Sequence, residues 1–177
     1  MGPVTNDELL MHRALDQLAR LLHDVPREAL GRGTPCEQWS VQDLVDHIVA
    51  APSRFAGMVR GESIDWTAPT PSAGAEPAAE FRSHAEDLLR ALHAHDAAGG
   101  PPADWQCAEF AVHTWDLATA VGRSTGDLDA EVAERGLAFM QANLTDDNRG
   151  PAFGPEQPVP EGADAYQRIA AFAGRSV

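Results

Sequence analysis

The stretch Glu109-Phe110-Ala111-Val112-His113-Thr114-Trp115-Asp116 constrains this chain more than any other. It lies inside a run from Asp104 to Val121 that holds no Gly or Pro and reads as helix. Residues four apart on a helix stack on one face, so Glu109 and His113 point the same way. Asp116, three residues further on, shares that side. Trp105, Val112 and Ala120 flank the same stripe, so this face is expected to look inward. Ionisable groups on a core-facing stripe are expensive unless they are paired or bound to a metal. Two readings follow. Glu109 and His113 form a plain i,i+4 pair, the commoner arrangement on helices, or they are part of a grip on one metal ion.

The rest of the chain also reads as helix. From Thr5 to His23 the apolar positions Leu9, Leu10, Ala14, Leu15, Leu18, Leu21 and Leu22 follow a 3.6-residue period. Thr5 or Asn6 caps this segment and Pro26 ends it. Ser40-Val41-Gln42-Asp43 resembles a capping box opening a second helix, whose inner stripe is Leu44, Ile48, Ala51 and Phe55. Pro52 is expected to kink or shorten it before Gly61 closes it. Residues 61–77, rich in Pro, Gly, Ser and Thr, form a long connection that Trp66 can pin down. Helical period returns from Glu76 to His95, breaks at Ala97-Ala98-Gly99-Gly100-Pro101-Pro102, and resumes in the focal run. A further helix is expected from Gly126-Asp127-Leu128-Asp129 to about Leu144. A Pro/Gly-rich coil follows, then a short helix from Ala163 to Ala173. No segment alternates with period two. Five main helices and a minor one, joined once by a long crossover, predict an all-α antiparallel bundle in one domain, residues 1–177.

Charge narrows the partners. The chain has 177 residues and a net charge of −14, which argues against nucleic acid and anionic lipid. No apolar run is long enough to span a membrane, and no secretory signal is visible, so a cytoplasmic location is expected. All 13 cationic Lys or Arg positions are Arg, which excludes chemistry on a lysine amine. The two cysteines, Cys36 and Cys107, make no CxxC pair. Cys36 precedes a helix N-terminus and is either a thiolate nucleophile or loop packing. Cys107 is expected to pack. Among the seven histidines, His84, His93 and His95 fall on the polar side of the third helix.

His47 lies within or beside the inner stripe of the second helix, four residues after Asp43. It is either a core-edge histidine bonded to Asp43 or a ligand. If the second and focal helices are neighbours, His47, Glu109 and His113 converge in the bundle core. Two imidazoles and one carboxylate leave positions open for water or substrate. Such a set suits zinc by default, with nickel or iron(II) as alternatives. With ordinary histidines, metal affinity would fall below about pH 6. Asp116 is expected to orient a ligand histidine or to cap a loop, and Trp39 and Trp115 to anchor the core, with a substrate cage as the alternative.

Thr34-Pro35-Cys36-x-x-Trp39-Ser40-Val41-x-Asp43-Leu44-Val45-x-His47 resembles the signature of the DinB/YfiT-like superfamily, in its mycothiol-dependent maleylpyruvate isomerase branch. Val112-His113-x-Trp115-Asp116-Leu117-Ala118-x-Ala120-x-Gly122 matches its second block. The tail Phe153-Gly154-Pro155-x-x-Pro158-Val159-Pro160, with Gly174-Arg175, is similar to a short actinobacterial metal-binding subgroup. The resemblance implies a DinB-like four-helix bundle with a long crossover and extra C-terminal helices. It also implies a divalent metal held by the matching residues, His47, Glu109 and His113. The function implied is a metal- and mycothiol-dependent isomerase or S-transferase. The alternative is a non-catalytic metal-containing protein that binds a small molecule or senses metal. The partners expected are a small-molecule thiol and an electrophilic substrate, with a homodimer compatible.

Overall fold

The computed structural model describes residues 3–95, 100–150 and 152–177. Its helices are α1 (Asn6–His23), α2 (Val41–Val59), α3 (Pro77–Ala94), α4 (Ala103–Ala120), α5 (Ala130–Asn143) and α6 (Ala165–Phe172), with a 3-10 turn at Arg27–Ala29. No strand occurs among the described residues, as the missing period-two pattern predicts. None of these helices is long and apolar enough to cross a membrane. The expected break at 97–99, and Pro151 within the coil, lie outside the described residues.

Local chemistry sets the helix starts. The Thr5 hydroxyl accepts from Glu8 N at 3.2 Å, and the Glu8 carboxylate accepts from Thr5 N at 2.6 Å. Ser40 and Asp43 close the same reciprocal box on α2. Pro52 does not shorten α2, which runs on to Val59. Ala51, Phe55 and Ala56 around it are fully buried, and that burial outweighs one forfeited helical hydrogen bond. α5 begins at Ala130, four residues later than expected, because Asp129 rather than Gly126 supplies the cap. Residues 125–129 are held instead by outside bonds, Thr125 to Asp164 and Asp129 N to Gln17.

α1 and α2 each pack against both α3 and α4. Side-chain pairs give the directions. Glu8 at the start of α1 meets His93 at the end of α3, so these two are antiparallel. His47 and Phe55 of α2 meet His113 and Trp105 of α4 in reverse order, so that pair is antiparallel too. Asp24, just past α1, meets Arg123, just past α4, while Arg135 bridges Asp7 and Asp104 at their starts. α1 and α4 therefore run side by side in one direction. Asp46 holds Ala73 N near the start of α3, and Arg60 pairs with Asp87 further along it, so α2 and α3 also share a direction. The chain leaving α2 must then travel back a helix length of about 27 Å before α3 can begin. Residues 61–76 make that return, pinned where Trp66 packs on Phe55 and Trp105 beneath the Arg54 guanidinium.

α4 was expected to turn one stripe inward. Instead it is buried on nearly every side from Gln106 to Ala118, with Glu109 the half-buried exception. α5 and α6 cover the face that α1 and α2 leave open. The approach of α5 requires Gly136, where a Cβ would fall 2.7 Å from the Cα of Ala108.

Candidate metal centre

α2 and α4 bring His47, Glu109 and His113 together. One ligating atom from each lies within 4.8 Å of the others. His47 Nε2–H donates to Glu109 Oε1 at 2.6 Å, and His113 Nε2 lies 3.3 Å from the same oxygen. The two imidazole rings meet edge to face with centroids 4.7 Å apart. The three side chains are only 12%, 18% and 11% exposed, so this polar cluster sits largely out of water. Its partner choices decide one of the alternatives the sequence left open, the partner of His47. Asp43 is exposed and spent on the Ser40 cap, so it is not the partner of His47. Glu109 and His113 do pair along the helix, and His47 joins them from across the core.

The electrostatics follow from that convergence. Burial alone would raise the Glu109 carboxyl, but His113 and His47 outweigh it and hold it well below the usual carboxylate range. Burial alone would lower His113, yet Glu109 and Asp116 on its two sides outweigh that and lift it to about 9. His113 is thus an imidazolium bridging two carboxylates at neutral pH. A metal ion binding here would have to displace a proton held well above pH 6, which would move the expected pH window upward.

Asp116 is fully buried and contacts His113 Nδ1 through Oδ2 at 3.2 Å. Arg175, 7% exposed, donates to the same carboxylate through Nε at 3.2 Å and Nη2 at 3.1 Å. Burial would raise the Asp116 carboxyl, and the two cations outweigh it and lower it. Trp39 was expected to anchor the core. It is half-buried and lies on the site, its ring centroid 4.8 Å from that of His47 and 5.8 Å from that of His113. The loop before α2 places it there, with Thr34 N donating to Trp39 O and Trp39 N to Cys36 O. Trp115 is buried as expected. Burial pushes the Cys36 thiol up, against the thiolate reading, and pushes Cys107 to about 12.

The sequence named Arg175 and Trp39 in motifs but did not place either at the site. The part played by Arg175 had one usable signal, since a buried aspartate in an apolar helix demands a cationic partner, and every Lys or Arg position here is Arg. Which of 13 would answer was not readable. The position of Trp39 over the histidines depends on the loop's path, for which the sequence offers no period.

The chain is similar to two uncharacterized proteins from two strains of Mycobacterium tuberculosis, each 32% identical over 189 aligned positions that cover 97% of this chain and 99% of the relative. No solved structure matches it. The family described as the mycothiol maleylpyruvate isomerase N-terminal domain matches residues 11–118, which take in α2 and most of α4 with all three clustered side chains. By that match this chain belongs to the family of the mycothiol maleylpyruvate isomerase N-terminal domain.

Proposed function

We propose that residues 1–177 act as one domain that binds a divalent metal through His47, Glu109 and His113 and works with a low-molecular-weight thiol, mycothiol, as an isomerase or S-transferase. The observation that carries this is the approach of three ligating atoms from two helices to within 4.8 Å of one another. The donor set fits a borderline metal, with zinc the default and nickel or iron(II) as alternatives. When bound, such an ion supplies Lewis acidity that lowers the pKa of a coordinating thiol and favours its thiolate at neutral pH. The protein's share is to hold the ligands still. Glu109 holds His47 and His113 toward a common point, Asp116 fixes the far side of His113, and Trp39 shields both rings on one flank. An electrophile meeting the thiol would need room beside that flank.

The second reading is a metal-containing protein that binds a small ligand without chemistry. One observation favours it. Asp43 and Asp116, carboxylates that could otherwise act as a general base, are both engaged, Asp43 in a helix cap and Asp116 with Arg175. Purified protein loaded with zinc and given mycothiol and a panel of electrophiles separates the readings. Turnover supports the enzyme. Tight thiol binding by calorimetry with unchanged electrophiles supports the binding protein. No zinc uptake at all would overturn both.

A further inference from the structure

We propose that Arg175 is a positioning residue for the His47–Glu109–His113 site, acting through Asp116 on the Nδ1–H of His113. The proposal rests on the metal reading above. Three N–H donors converge on the two oxygens of Asp116: Nε and Nη2 of Arg175 at 3.2 and 3.1 Å, and Nδ1 of His113 at 3.2 Å. Oδ2 serves both His113 and Arg175, so the two contacts fix each other. A guanidinium fork sets the plane of a carboxylate as a point charge cannot. With that plane set, the proton on Nδ1 has a fixed acceptor, and Nε2 is the atom left to face Glu109 and His47.

Arg175 is itself held on every side. Its Nη1 donates to the carbonyls of Ala152 and Ala173 at 3.2 and 3.1 Å. The backbone that delivers it turns at Gly174, whose φ of +93° suits glycine. A Cβ there would fall 2.6 Å from the Cα of Gly154, so the two glycines let the coil and the segment after α6 touch. Arg149 ties the same two strands of chain through the carbonyls of Gly154 and Phe172 at 2.9 and 2.6 Å. The coil, the α6 exit and Arg175 thus form one buttress behind His113, on the side away from Glu109. A purely structural account is that the ion pair only fastens this buttress to α4. The two accounts differ in what happens when the pair is removed without leaving an orphaned charge.

The test compares the parent with Arg175→Lys, Arg175→Gln, Asp116→Asn and the double variant Asp116→Asn with Arg175→Gln. Two quantities are read. One is zinc affinity, by competition with a chromophoric chelator. The other is the His113 Nδ1–H proton in metal-free protein labelled with 15N-histidine. An amide offers one acceptor oxygen where three donors need two, so Asp116→Asn loosens His113 while keeping the side chain's shape. We expect zinc affinity to fall about 10–100-fold in Asp116→Asn and Arg175→Gln, the range for losing a group that orients a ligand. Arg175→Lys should fall less. The double variant should regain thermal stability but stay as weak for zinc as the single ones. The Nδ1–H proton should exchange slowly in the parent and quickly in Asp116→Asn and Arg175→Gln. A double variant that recovers parent affinity together with stability overturns the proposal, as does unchanged Nδ1–H exchange in Arg175→Gln. A parent that takes up no zinc brings down the function proposed above, while the Nδ1–H readout still decides the positioning role.

Discussion

Two regions of this molecule are rich in histidine, and they behave oppositely. Along α3 and just past its end lie His84, His93 and His95, the last two spaced as in a His-x-His pair. Each finds its own partner: His84 Nδ1–H donates to Val49 O at 2.8 Å, His95 Nδ1–H to Ala91 O at 2.9 Å, and His93 Nδ1 meets Glu8 at 2.8 Å. At the α2–α4 crossing, His47 and His113 are far apart in sequence and meet on a single oxygen of Glu109. The comparison separates local density of ligand types from convergence of ligating atoms on one point. A histidine satisfied by a carbonyl already has its bond. Ligating atoms count when the fold forces several onto one point and no other acceptor is near.

The sharpest way to break the comparison is to delete ligands in each region. His47→Ala and His113→Ala should each bring zinc content close to zero, and the double variant should hold none. His84→Ala and His95→Ala should keep a full equivalent. Metal analysis after dialysis reads this directly. A full equivalent in the His47→Ala, His113→Ala double variant would transfer the site to α3. Bound zinc should also raise the melting temperature of the parent and not of the variants that lost the site.

Glu109→Gln is expected to come next in size. It removes the one carboxylate of the proposed ligand set and the acceptor shared by both imidazoles. Zinc affinity should drop by at least about tenfold, or 1.4 kcal/mol. The His113 pKa should also fall, since Glu109 contributes most to raising it. Histidine NMR titration checks the second outcome, and an unchanged His113 would mean that Asp116 alone sets it.

The pH response should separate the metal-free from the zinc-loaded protein. His113 rises on folding from an ordinary 6.5 to about 9. A raised pKa contributes stability that is fully present below about 6.5 and lost as pH rises through about 9. Glu109 is lowered, so its contribution holds above its ordinary 4.5 and fades as the solution becomes acidic. Metal-free protein should therefore lose stability between about pH 6.5 and 9, by a few degrees in melting temperature. Zinc affinity should rise over the same window, because each ion bound displaces the His113 proton. The two melting curves should diverge with pH. Calorimetry in buffers of different ionisation enthalpy should find about one proton released per zinc near neutral pH. Parallel curves would mean that His113 is not a ligand.

Much of this arrangement is written locally, and some of it is not. The helices follow from apolar period, and two of their starts from the Thr5 and Ser40 boxes, because both signals act within a few residues. The long crossover was legible from its Pro- and Gly-rich composition. That α2 and α3 run in the same direction, which is why the crossover must be long, depends on packing that no single segment encodes. Glu109 and His113 were legible as a helical pair and His47 as a candidate beside a core stripe; that the three share one point came only with the family motifs. The full burial of α4 was hidden because α5 and α6, which cover it, are separated from its polar face by many turns of chain. Arg175 lies 59 residues from Asp116, and no periodicity links them.

The smallest effect belongs to His93, the α3 histidine with an ionisable partner. Its contact with Glu8 is 2.8 Å long and joins a 30%-exposed imidazole to a carboxylate already working as a helix cap. Glu8 is lowered first by its bond from the Thr5 backbone, and His93 adds a smaller contribution. His93→Ala leaves that cap intact, so the loss should be about 0–1 kcal/mol, as for other partly exposed ion pairs. Glu8→Ala breaks both the contact and the reciprocal cap and should cost more, about 1 kcal/mol from the cap alone. Thermal melts of the two variants should therefore rank Glu8→Ala below His93→Ala, with zinc content at one equivalent in both. A larger loss in His93→Ala would mean that the α3 histidines do structural work beyond single bonds. A loss of zinc from it would erase the contrast between the two regions, since a residue satisfied by its own partner would then be supporting a site on the other face of the bundle.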